Sequence, residues 1–199
     1  GCTSQIPISR LSPISRANRS MLSRHHRAGE EVTISYGAWP NDLFFLLFGF
    51  VPDNNPHDAV VLFDGAEEAL RFLNDTAEQS GAPHWKGDGL AGSMEAAAEA
   101  LAEVDFSRLL VTWDGFDERL MQALHAAIQC HPAAEDLSAG QLAVERCVSL
   151  WSSTQTQMKQ QRQELEGQSL TDNLRLSLQY SFHKQELLEN ALRSVGMLN

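Results

Sequence analysis

The sequence predicts an α+β protein, mostly helical, in which a small β-rich part precedes an all-α part. Two runs carry the β reading: residues 31–36 alternate and are rich in β-branched side chains, and residues 58–63 contain a block of valines. From about residue 65 the composition shifts to helix formers, and apolar residues recur with the 3.6-residue period. The chain therefore divides into an irregular leader (1–27), a strand-containing part (28–64) and a helical part (65–199).

Residues 1–27 are rich in Ser and Arg, contain Pro7 and Pro13, and sustain no period. Their acid-poor composition matches a transit peptide, and a fragment boundary or a poorly packed leader accounts for it at least as well. Glu31 to Tyr36 reads as a strand entered through the Ala28-Gly29 turn and closed by Gly37. Asn41 to Phe48 follows Pro40 and is apolar enough for a short buried helix, which Gly49 lets the chain leave. Pro52 to Pro56 is a loop, and Asp58 to Phe63 is the second strand.

Helices are expected over Ala66–Gln79 and Ser93–Val104, the latter capped by Ser93. Arg108 to Trp113 reads as a short strand or an extended link. Asp117 to Cys130 is helical, with Leu120, Leu124, Ala127 and Ile128 on one face. Ser138 caps a long helix running towards Glu166 and interrupted at Ser152-Ser153-Thr154, with Gly167 ending it. The last helix starts behind Thr171 and aligns Leu174, Leu178, Phe182, Leu188, Leu192 and Val195 near one stripe. Two long antiparallel helices would bury such stripes against each other.

Charge and cysteine usage narrow the function classes. The net charge is −11, and residues 1–29 hold five arginines and no acid, so −11 less +5 leaves −16 on the remainder. An acidic body does not suit the phosphate backbone of nucleic acid, whereas it suits a basic protein partner. The longest apolar run, Leu43 to Val51, is too short to span a bilayer, so no membrane partner is expected. Cys2, Cys130 and Cys147 are odd in number and lack a CxxC spacing, which signals neither a disulfide framework nor a zinc site and fits reduced intracellular thiols. No metal is called for: His25-His26 lacks the i, i+4 acid-flanked pattern of a metal helix. Neither a Ser-His-Asp order, a P-loop nor a dinucleotide fingerprint occurs.

The most informative stretch is Arg27-Ala28-Gly29-Glu30-Glu31-Val32-Thr33-Ile34-Ser35-Tyr36-Gly37, then Asn41, Leu46 to Val51, and Asn54-Asn55-Pro56-His57-Asp58-Ala59-Val60. In order and spacing it resembles the close of a SET domain in the branch of the Rubisco large-subunit methyltransferases and actin-histidine methyltransferases. Downstream, Cys147 to Thr154 is similar to a segment of that family's helical substrate-binding domain. Asn173 to Tyr180, with His183-Lys184 and Leu187-Leu188, resembles one of its helices. The resemblance covers nearly everything from Ala28 onward.

What the resemblance implies is specific. Tyr36 would be the catalytic tyrosine, its hydroxyl placed where the methyl donor S-adenosylmethionine and the target amine meet, accepting a hydrogen bond from that amine. Phe48, Gly49 and Phe50 would line the cofactor and target channel, glycine permitting close backbone approach. Core packing alone also accounts for a strand-end tyrosine and for two phenylalanines. Phe48 stands where the family often has tyrosine, which removes a hydroxyl and bears on how many methyl groups are added.

The family's cofactor-holding Asn-His pair, expected some thirty residues before Ala28, has no counterpart in these residues: Asn18 is followed by Arg19. The chain by itself is therefore not expected to bind S-adenosylmethionine. The implied function is the C-terminal portion of a protein-lysine N-methyltransferase, or one acting on histidine, with residues 28–64 closing the SET domain and residues 65–199 binding the protein substrate. The alternative is a catalytically inactive, SET-derived protein-binding module. An intracellular location follows from either, with chloroplast, cytoplasm and nucleus equally open.

Overall fold

A computed structural model describes residues 5–7, 27, 29–31, 33–79, 101, 103–131, 134, 136–164 and 171–198. Strand β1 (Gln5–Pro7) pairs antiparallel with β2 (Thr33–Ser35), placing Ile6 opposite Ile34. The strand at Gln5–Pro7 falls within the stretch read from sequence as irregular. Helix α1 (Asn41–Leu43) runs directly into a π-helical turn, Phe44–Phe48. Strands β3 (Ala59–Phe63), β4 (Leu109–Thr112) and β5 (Gly115–Phe116) form an antiparallel sheet in that order. Against it pack α2 (Ala66–Gln79), α3 (Glu118–Cys130), α4 (Ala139–Glu164) and α5 (Asp172–Ser194). The protein is thus α+β and mostly helical.

The helical part builds the core because its apolar rows face inward together. Leu70 and Leu73 of α2, Leu120 and Leu124 of α3, Leu142 and Cys147 of α4, and Leu187, Leu188 and Leu192 of α5 meet Leu62, Phe63, Leu109 and Val111 of the sheet in one buried cluster. Each such large side chain contributes roughly 1.5–3 kcal/mol when fully buried. Polar ends are closed locally. Asp117 accepts the Arg119 N–H at the start of α3 (2.9 Å). Ser138 and Gln141 exchange bonds at the start of α4, Gln141 Oε1 accepting the Ser138 N–H (2.9 Å) and Ser138 Oγ accepting the Gln141 N–H (3.2 Å).

A bulge between Val61 and Phe63 leaves Leu62 outside the ladder with β4. Arg146 of α4 repairs it: Nε donates to the Leu62 carbonyl (2.8 Å), and the guanidinium lies over the rings of Phe63 and Phe72 while pairing with Glu68. One side chain thereby ties α4 to both β3 and α2.

Four further expectations are corrected. Helix α4 runs unbroken through Ser152-Ser153-Thr154, because these hydroxyl residues do not abandon the helix: Ser153 Oγ donates back to the Leu150 carbonyl (2.9 Å) and Thr156 Oγ1 to that of Ser152 (2.9 Å). The buried row of α5 is Lys184, Leu187, Leu188, Ala191 and Leu192, while Phe182 and Val195 are exposed. The Asn41–Phe48 helix buries only Asn41 and Phe44, the turn carrying Leu46, Leu47 and Phe48 outward. Finally, Leu101, Glu103 and Val104 lie in turns and a bend rather than a helix; Ser93 and the rest of that expected helix lie outside the described residues.

Candidate functional site

The four residues singled out from sequence come together. Tyr36 follows β2, and Gly37 after it has φ +91, a conformation that favours glycine; a Cβ there would also lie 3.0 Å from Trp39 Nε1. The chain then reverses through Pro40 into α1. The π turn delivers Phe44 and Phe48 to the Tyr36 ring, at centroid distances of 6.2 and 4.5 Å. Gly49, at φ +68, ends the turn in the left-handed region with its N–H on the Phe45 carbonyl (3.3 Å), so that Phe50 folds back to 6.0 Å from Tyr36. Phe44 and Phe50 complete the cluster at 5.2 Å.

This cluster is half open. Phe44 is buried, Tyr36 and Phe50 are partly buried, and Phe48 is 41% exposed beside Leu46 at 75% and Leu47 at 57%. Among the described residues the Tyr36 hydroxyl has no hydrogen-bond partner. Aromatic faces of this kind can line a channel for a cationic ammonium or sulfonium group. For S-adenosylmethionine the residues fit one wall only, since four rings and a glycine supply faces but no side-chain set for the carboxylate and ribose.

Directly behind the turn lies a polar seam that sequence reasoning did not single out. Phe45 stacks on Tyr180 of α5 at 4.8 Å. The Tyr180 hydroxyl donates to Asp42 Oδ1 (2.6 Å), and Lys184 Nζ, one helical turn on, donates to Asp42 Oδ2 (2.8 Å), Asp58 Oδ1 (2.7 Å) and the Ala59 carbonyl (2.7 Å). A second row repeats the spacing. Gln179 donates to the Val51 carbonyl (3.3 Å) and to Asp53 (3.0 Å), and His183 sits 3.3 Å from Asp53 and 3.4 Å from Glu186.

The loop side is equally knitted. Asp58 Oδ1 accepts the Asn41 N–H (2.9 Å), and Asn55 Nδ2 donates to Asn41 Oδ1 and to the Trp39 carbonyl (both 2.8 Å). The Asn55 carbonyl accepts Trp113 Nε1 (2.9 Å), whose own carbonyl accepts Asn190 Nδ2 of α5 (2.9 Å). Asn41, Asn55, Asp58 and Lys184 are all buried, and these bonds satisfy their polar atoms within the protein except Asp58 Oδ2, which no donor among the described residues reaches.

Electrostatics follow from this packing. Burial acts to raise the Asp42 carboxyl, but the hydrogen bonds from Lys184 and Tyr180, with the Lys184 charge, outweigh it and hold the group below its ordinary 3.8. Burial, then the bond to Asp42 and its charge, push the Tyr180 hydroxyl above its usual range, so it remains a donor. Cys147 is pushed up to about 12 by burial, its thiol facing the Leu188 carbonyl at 3.7 Å, and Cys130 is likewise free. No helix among the described residues is long and apolar enough to cross a membrane, and no cluster of three or more potential metal ligands occurs among them.

Comparison of the chain with protein-family models finds no match, and comparison with curated proteins finds none either.

Proposed function

We propose that this chain is the C-terminal portion of an S-adenosylmethionine-dependent protein-lysine N-methyltransferase of the SET type, supplying the catalytic tyrosine and the helices that hold the protein substrate. The observation that carries the reading is the placement of Tyr36: a strand-end tyrosine whose hydroxyl has no partner among the described residues, 4.5 Å from Phe48 across a turn closed by Gly49.

In this reading the rings of Phe44, Phe48 and Phe50 fix the Tyr36 ring and cover part of its face. The Tyr36 oxygen accepts a hydrogen bond from the target amine and so aims the nitrogen lone pair along the line of transfer. As the nitrogen gains positive charge, the phenolic oxygen and the aromatic faces stabilise it. S-adenosylmethionine, when bound, supplies the methyl group. The acidic helical part offers a complementary surface to a basic protein segment.

The test is a transfer assay on the gene product containing these 199 residues, with labelled S-adenosylmethionine, extract from its own source and mass spectrometry of the product. Methylated lysine is the expected result. Methylated histidine would move the reading to the other branch of the family, and no transfer together with retained protein binding would favour the inactive binding module. Because the described residues supply no polar cradle around the aromatic cluster, the 199-residue chain alone is expected to give no heat of S-adenosylmethionine binding by calorimetry; micromolar affinity would contradict that.

A further inference from the structure

A cleft lies between α4, α5 and β3, with a volume of about 320 Å³. That is at the small end for ligand pockets, ~300–1,000 Å³, and suits one side chain better than a nucleotide or cofactor. Val60, Val61, Leu150 and Leu188 give it an apolar wall, and Asp42, Tyr180 and Lys184 stand at one end with Thr154, Gln157 and Ser181 around it.

A count of hydrogens decides what this cleft can recognise. An ammonium has three donors, and Lys184 spends all three on Asp42, Asp58 and the Ala59 carbonyl. The single hydroxyl hydrogen of Tyr180 goes to Asp42. Neither group has a donor left for an anion. Acceptors remain: Asp42 is 40% exposed at its side chain and each of its oxygens takes one bond, while the Tyr180 oxygen keeps its lone pairs. Asp58 does not line the cleft: it is buried behind Lys184 and acts there only through its charge. Asp42 at the cleft and Asp58 behind it set two carboxylates against the one ammonium of Lys184, a local balance of −1 in a chain of net charge −11.

We infer that the cleft is a binding site for a basic side chain of a protein or peptide partner. The aliphatic stem lies along Val60, Val61 and Leu150, and the guanidinium or ammonium head reaches the Asp42 carboxylate and the Thr154 hydroxyl. A guanidinium, planar and with five donors, fits dispersed acceptors best. The cleft is separate from the Tyr36 cluster: one turn presents Phe44 and Phe48 to Tyr36 and Phe45 to Tyr180. The inference therefore stands whether or not the chain takes part in methyl transfer.

The test is a methyl-resonance NMR titration of the 199-residue chain with Nα-acetyl-arginine amide, Nα-acetyl-citrulline amide and Nα-acetyl-glutamate amide. The arginine probe is expected to shift Val60, Val61, Leu150 and Leu188 together and saturably. The citrulline probe, of similar shape but uncharged, should bind at least roughly ten-fold more weakly, the cost of losing a charge-assisted hydrogen bond. The glutamate probe should leave these methyls unmoved. Thr154→Leu, at a half-buried position on α4, should weaken the arginine probe by about ten-fold while preserving the spectrum elsewhere. Equal binding of arginine and citrulline, perturbation by glutamate, or no shift with any probe would each overturn the proposal.

Discussion

The helical part and the segment from Thr33 to Asp58 are held by different forces. In the helical part, rows of leucine from four helices and the sheet close on one another with almost no exposure. The earlier segment buries few apolar side chains, Phe44 and Val51 chief among them, and turns Leu46 and Leu47 outward. It is fixed instead by Asn41, Asp42, Asn55 and Asp58 against Tyr180 and Lys184. Such polar contacts are directional where apolar burial is not, so they set the register of the turn that carries the aromatic cluster. The candidate site is positioned by a helix more than a hundred residues away in sequence.

Lys184→Met breaks the seam at its centre and should have the largest effect, a loss of about 3–5 kcal/mol, because Asp58 is left buried without its cation. Hydrogen exchange should show residues 41–58 losing protection while α2 and α3 keep theirs; equal loss everywhere would erase the distinction between the two regions. Leu124→Ala removes a fully buried side chain of the helical core and should cost about 2–5 kcal/mol in urea unfolding. Here the loss should be global, with the exchange pattern of residues 41–58 no worse than that of α3.

A smaller effect sharpens the same contrast through pH. The folded state holds Asp42 below its ordinary 3.8, so its stabilisation is complete above that value and is lost as pH falls through the lower folded value. The urea midpoint of the wild type should therefore fall more steeply below pH 3.8 than that of Asp42→Asn. Parallel curves would mean that the Lys184 and Tyr180 contacts to Asp42 contribute nothing in solution.

Much of the helical part was legible because periodicity and capping are local. Thr171 and Ser138 announce the last two helices, and Thr171 Oγ1 accepts the Leu174 N–H as its position implies (3.4 Å). The proximity of Tyr36, Phe48 and Phe50 was legible only through resemblance, since no local pattern brings a strand end to a later turn. The seam was missed for a physical reason. A lysine in an amphipathic helix reads as solvated, and only the fold shows that Lys184 is 8% exposed with two carboxylates and a carbonyl around it. The i, i+4 pairs Gln179–His183 and Tyr180–Lys184, set just before the Leu187-Leu188 pair, were the available signal. Ser153 misled in the other direction: a hydroxyl residue that bonds back to the helix looks like a break in composition and is none in structure.

The most direct test of the account is Tyr36→Phe in the gene product that contains this chain, read by methyl-transfer rate and by unfolding midpoint together. The ring contacts to Phe44, Phe48 and Phe50 survive the change and the hydroxyl forfeits no bond within the described residues, so stability should stay within ~0.5 kcal/mol. Transfer should fall ~100-fold or more, as expected when an oxygen placed at the reacting centre is removed. Retention of most of the transfer rate would make Tyr36 a packing residue and would contradict the assignment of this aromatic turn as the reacting centre.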